Sequence, residues 1–184
     1  MDLGAFPAAA DFFAAAAAAV PPDTYERPWS DEWRIIDLIG HGNRANVLAL
    51  EYYEHPVELA GPDYASPENV AARGRAAVQL LGDDPPAAVR AAADRAVAVL
   101  GAAPDDAVAG TPFGVMPLGA YLQSRVAELV LHGLDLGTGV EPPSDALLAC
   151  GEAMMSRAVQ RGRGADVVLA LSGRAALPPG FNVF

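Results

Sequence analysis

The 184-residue chain contains no lysine, so its twelve basic residues are all arginines, and these are scattered rather than gathered into a stripe or a tail. With 23 acidic residues the net charge is −11. Binding a phosphate backbone needs clustered positive charge, which excludes nucleic acid as the expected partner. Cysteine occurs once, as Cys150. A lone thiol forms no internal disulfide, and its apolar helical setting makes it a packing residue rather than a nucleophile. No apolar run approaches the roughly 20 residues that a membrane span needs. The alanine-rich start lacks the basic region of a signal peptide and carries Asp2 and Asp11, as expected of a helix in a cytoplasmic protein. Repeats and strand-like alternation are also missing, as is an H-E-x-x-H helix, whose glutamate would act as general base in metal-assisted hydrolysis.

What is present is 52% hydrophobic, with Gly and Pro placed mostly between apolar segments, the composition of short-looped helices. The length suits one domain over 1–184 with a single core. Residues 3–20 predict a helix of alanines with Phe6, Phe12 and Phe13, stopped by Pro21-Pro22. Ser30 is the expected N-cap of a second helix reaching residue 53, with Asp31 and Glu32 in its first turn and a buried stripe of Trp33, Ile36, Gly40 and Val47. Ser66-Pro67 opens a third helix that Gly82 ends, and Asp84-Pro85 opens a fourth that Gly101 caps. Residues 104–116 predict a loop or short extended piece, 117–138 a long fifth helix and 144–161 a sixth. The tail predicts a short helix and then extended coil. The expected fold is an all-α bundle with short connections and no strands.

Within the fifth helix, Leu122, Val126, Leu129 and Leu136 form an apolar seam that Ala127, Val130, Leu131 and Leu134 widen. Tyr121, Arg125, Glu128, His132 and Asp135 follow at intervals of four, three, four and three, which stacks them on one line. A carboxylate in apolar surroundings needs a partner, and residues four apart direct two ligand atoms at one ion. A third ligand must come from another helix. His55, followed by Pro56 where the second helix ends, is placed in solvent and is a poor ligand. His41 lies mid-helix between Gly40 and Gly42, small neighbours that leave room beside its imidazole. His41, Glu128 and His132 thus make a three-ligand set with open positions, typical of catalytic rather than structural zinc. The same set suits Fe(II) or Ni(II). The competing reading of Glu128 and His132 is an ordinary i,i+4 ion pair on a solvated face.

The segment WRIIDLIGH, with its W-x3-D-L-I-G-H pattern, and the later RVAELVLHGLDL resemble the N-terminal metal-binding domain of mycothiol-dependent maleylpyruvate isomerases, within the DinB-like superfamily. The closing LSGRAALPPGFNVF is similar to the tail of small members of that group. The resemblance implies a DinB-like four-helix bundle with short extra helices and an extended C-terminal tail. It also implies a zinc ion held by His41, Glu128 and His132, and mycothiol, the low-molecular-weight thiol of actinomycetes, as co-substrate. Two departures stand out. The isomerase carries a further C-terminal domain beyond the bundle, and the stretch HGNRAN replaces the more usual H-L or H-V after the metal histidine.

The expected function is a metal-dependent thiol transferase or isomerase that presents mycothiol as a thiolate to a small electrophilic substrate. Alternatives are a non-catalytic metal-binding or interaction module and a metal-dependent hydrolase. Arg125 is expected either to pair with Glu128 or to bind a substrate carboxylate, and Asp135 to serve as a cap or supporting partner. The chain is expected to be a monomer or homodimer.

Overall fold

The computed structural model describes residues 1 and 3–183, Pro62 by its backbone alone. It is mostly helical, with one two-stranded ribbon. Helix α1 (Phe6–Ala18) packs on α5 (Leu118–Asp135) and on α4 (Pro85–Gly101). Helix α2 (Ile35–Glu54) packs on the same two, so the core lies among these four helices. Helix α3 (Pro67–Ala76), continued by a 3-10 turn to Leu80, covers the first half of α2. Helix α6 (Ser144–Gln160) lies against α5, and the short α7 (Gly164–Leu171) against α6. Extended coil follows α7, as the tail predicts.

Local signals placed most helix ends. Ser66 accepts from the Asn69 amide and Asp84 from the Ala87 amide, the expected N-caps of α3 and α4. Gly82 has φ +57° beyond the 3-10 turn that ends the third helical segment. Two boundaries differ. Gly101 is the last residue of α4 and Ala102 caps it, so no left-handed glycine ends that helix. Ser30 accepts from the Glu32 and Trp33 amides in a turn, but α2 begins only at Ile35. The cap belongs to Asp37, whose carboxylate accepts from the Arg34 amide at 2.9 Å and from the Arg34 guanidinium at 2.8 and 2.9 Å. That acceptor outcompetes a serine because it takes three donors at once and two are charged.

A second difference is that the segment expected as a loop or short extended piece forms a paired hairpin within a fold expected to be all-α. β1 (Val108–Thr111) pairs antiparallel with β2 (Gly114–Pro117), Thr111 opposite Gly114. Four-residue strands containing glycine and proline give too few alternations for a period to be seen. The ribbon is fixed from outside: the Val57 amide donates to the Gly110 carbonyl and the Ala60 amide to that of Pro112. In α5, Leu122, Val126 and Leu129 are buried, whereas Leu134 is 46% exposed because it lies beyond the arc that the neighbouring helices cover.

Candidate metal centre

Helices α2 and α5 run antiparallel in contact. His41 meets His132 with ring centroids 4.8 Å apart, and Tyr52 meets Tyr121 at 5.7 Å, eleven residues onward along α2 and eleven back along α5. The first contact builds the site. One ligand atom from each of His41, Glu128 and His132 lies within 4.8 Å of the others. His132 Nε2 is 3.2 Å from Glu128 Oε2, about the separation of two ligands on one tetrahedral ion, given bonds of ~2.1 Å. For one ion to bind all three, the wider spacing to His41 would have to close by side-chain rotation. Two imidazoles and one carboxylate are a donor set that zinc accepts. The His41 ring forms no hydrogen bond among the described residues, and its Nδ1 is buried without a partner.

Both histidines are followed by glycine, and both glycines seat on α1. A Cβ on Gly42 would run into the Phe13 ring and lie 3.2 Å from His132 Cβ, and one on Gly133 would run into Phe12. The adjacent phenylalanines therefore draw α2 and α5 close enough for their histidines to meet. Gly40 serves a similar end, for a Cβ there would stand 3.0 Å from the Val78 amide nitrogen. These glycines are filled contacts, which corrects the expectation that they leave room beside the imidazole. Trp33 walls the site from outside α2, its ring 4.5 Å from that of His41. Gly74 of α3 admits that indole, which a Cβ would meet at 2.9 Å. Trp33 thus precedes α2 and does not extend its buried stripe.

Electrostatics divides the three ligands. Burial, with the nearby His132 charge, pushes the His41 imidazole down to about 4, so it is neutral at pH 7. Burial alone would raise the Glu128 carboxyl, but the His132 hydrogen bond and the Arg125 charge outweigh it and hold the group at about 2. Burial likewise opposes the charge on His132, yet its hydrogen bonds to Asp135 and Glu128 raise it to about 9. Asp135 Oδ2 lies 3.2 Å from His132 Nδ1, the supporting role expected of it, and fixes the ring so that Nε2 faces Glu128.

Arg125 closes no ion pair with Glu128; its guanidinium lies 4.9 Å over the Tyr121 ring. His55 is exposed at the end of α2, away from the other histidines, and Cys150 is buried and free, both as expected. A groove of about 460 Å³ between α2 and α4, lined by Leu50, Glu54, His55 and Arg95, lies away from the three ligands. A second, of about 350 Å³, lies against Trp33, Arg34 and Asp37 and is likewise not lined by them. Among the described residues no helix is long and apolar enough to cross a membrane.

Compared with curated proteins and with solved structures, the chain has no match in either. The family model of the mycothiol maleylpyruvate isomerase N-terminal domain matches residues 6–137, which takes in α1 to α5 and all three candidate ligands. The chain belongs to the family of mycothiol maleylpyruvate isomerase N-terminal domains.

Proposed function

We propose that His41, Glu128 and His132 hold a divalent ion, zinc by their donor types, and that the protein uses it to activate mycothiol for attack on a small electrophile, as a thiol transferase or isomerase. The observation that carries this is the convergence of the three side chains where α2 crosses α5, inside the segment that the family matches. Held there, the ion supplies the positive charge that keeps a coordinated thiol deprotonated at neutral pH. His41 is already neutral and Glu128 already ionised at that pH. His132 must give up its Nε2 proton to bind, while Asp135 retains the bond at Nδ1 and the ring's orientation. Phe12, Phe13 and Trp33 exclude water from the buried sides of the ligands. In the covalent step the sulfur lone pair forms a carbon–sulfur bond, and the displaced electron pair leaves with the departing group or moves onto an adjoining unsaturated group. Isomerisation adds cleavage of that same bond.

The wider reading is a DinB-like four-helix bundle of α1, α2, α4 and α5 in a single domain, acting in the cytoplasm as a monomer or homodimer. The test is calorimetry of mycothiol binding to zinc-loaded protein in buffers of different ionisation enthalpy. About one proton should be released at pH 7, since a free thiol with pKa near ~8.5 is mostly protonated there. Binding should vanish in His132→Ala together with the zinc, and persist in Cys150→Ser. Mycothiol binding that survives zinc removal, or no binding to verified zinc-loaded protein, overturns the proposal.

A further inference from the structure

Between the two points where α2 and α5 touch, His41 with His132 and Tyr52 with Tyr121, lie two arginines that lack acidic partners. Arg44 follows His41 by one turn on α2, and Arg125 precedes Glu128 by one turn on α5. Because the helices are antiparallel, both steps lead away from the three ligands in the same direction. Neither arginine has a carboxylate within 4 Å among the described residues, although acids outnumber arginines 23 to 12 in this chain. Elsewhere Arg34, Arg90, Arg95 and Arg163 each hold one. Both arginines are half-buried without a carboxylate in contact, where a cation is costly.

Tyr121 stands beside them. The residue is 4% exposed, its hydroxyl is buried, and that hydroxyl has no hydrogen-bond partner among the described residues. A buried hydroxyl without a partner loses its hydration for no return, and such groups are rare in native proteins. The Arg125 guanidinium lies over the ring of the same tyrosine. Burial pushes the phenol up to about 12 although the Arg125 and Arg44 charges oppose the rise, so it remains a donor at neutral pH. Two guanidinium groups without a carboxylate, Arg125 reaching only the Ser124 hydroxyl at 3.2 Å, and one hydroxyl without a partner among the described residues border one side of the candidate metal centre.

We propose that Arg44, Arg125 and Tyr121 form an anion subsite for a carboxylate of the electrophilic substrate. The planar fork of an arginine matches the two oxygens of a carboxylate, and the phenol supplies a third donor. The substrate's reactive carbon then extends towards His41, Glu128 and His132. Its role as a substrate subsite rests on the function proposed above, whereas carboxylate binding itself requires neither metal nor thiol.

Propionate, with propionamide as its uncharged counterpart, tests this in the metal-free and the zinc-loaded full chain. Binding is followed by the nitrogen and proton resonances of the arginine side chains. Propionate should bind the metal-free protein, shift the Arg44 and Arg125 signals and leave exposed Arg161 unmoved; propionamide should not. Arg44→Gln and Arg125→Gln should each weaken propionate binding by about tenfold or more, and Arg161→Gln should not weaken it. Tyr121→Phe separates binding from structure: it should lower propionate affinity while leaving the urea midpoint unchanged or raised, because it removes an unsatisfied buried hydroxyl. Equal binding of propionate and propionamide, or unchanged affinity in the arginine variants, overturns the subsite. Failure of mycothiol to bind would sink the thiol chemistry and leave this result standing.

Discussion

Replacing Gly42 with alanine sets helix propensity against packing, and the structure decides which wins. Alanine is favoured over glycine in a helix interior by about 1 kcal/mol. At Gly42, however, the added methyl would sit well inside contact distance of the Phe13 ring and 3.2 Å from His132 Cβ. Neither neighbour has slack, since Phe13 is fully buried in the core and His132 is tied at both ring nitrogens. Overpacking a filled site costs about 1 to 3 kcal/mol, so Gly42→Ala should destabilise by up to about 2 kcal/mol after the propensity gain. The control is Gly151→Ala in α6, where a Cβ would meet nothing within 4 Å. There the full gain of about 1 kcal/mol should appear as added stability. Urea titrations compare the midpoints at constant slope. Because the strain falls between the histidines, Gly42→Ala should also weaken zinc binding and Gly151→Ala should not. A Gly42→Ala protein stabilised as much as Gly151→Ala would refute the claim that this glycine sets the helix spacing.

The metal-free protein should be most stable near pH 6.5. His132 is raised in the fold, so its contribution, at most about 3 kcal/mol, is complete below its unfolded value of 6.5 and is lost as pH rises through 9. His41 is depressed to about 4, so stability also falls as pH drops from 6.5 towards 4; urea midpoints should trace both limbs, and His132→Gln should flatten the alkaline one. Asp37→Ala removes a 1% exposed carboxylate that caps α2 four residues before His41, and should cost about 2 kcal/mol or more and lower zinc affinity. Wild-type stability and zinc affinity in that variant would show that the cap does not position His41.

The line of polar groups on α5 was legible because helix period alone stacks Tyr121, Arg125, Glu128, His132 and Asp135, and apolar neighbours make such a line expensive unless it has partners. Joining it to His41 was also legible, since only three histidines exist and Pro56 removes one of them. Period gives a face, but it does not say what covers that face. Gly42 and Gly133 were visible beside their histidines, yet their meaning depends on Phe12 and Phe13 arriving from α1. Without those rings, glycine read as vacant space. Leu134 belongs to the apolar side by period, yet no helix reaches it. Trp33 read as a helix residue because Ser30 is a good cap in isolation, and the stronger acceptor, Asp37, lay further along the same segment.

The same arithmetic, carried one step further, reaches part of the site that the sequence reading missed. On α5 the step from Glu128 back to Arg125 is three residues, which marked the arginine as sharing the glutamate's face. On α2 the step from His41 to Arg44 is also three, so this arginine shares the histidine's side of the helix. Two antiparallel helices that each place an arginine one turn from a candidate metal ligand bring the two guanidinium groups to one side of it, provided the steps run in opposite sequence directions, as they do here. What no spacing supplies is the orphaned Tyr121 hydroxyl, because the lack of a partner is a property of every neighbouring element at once. An unpartnered buried hydroxyl beside two arginines that touch no carboxylate is therefore the feature of this candidate centre that depends most on the folded arrangement.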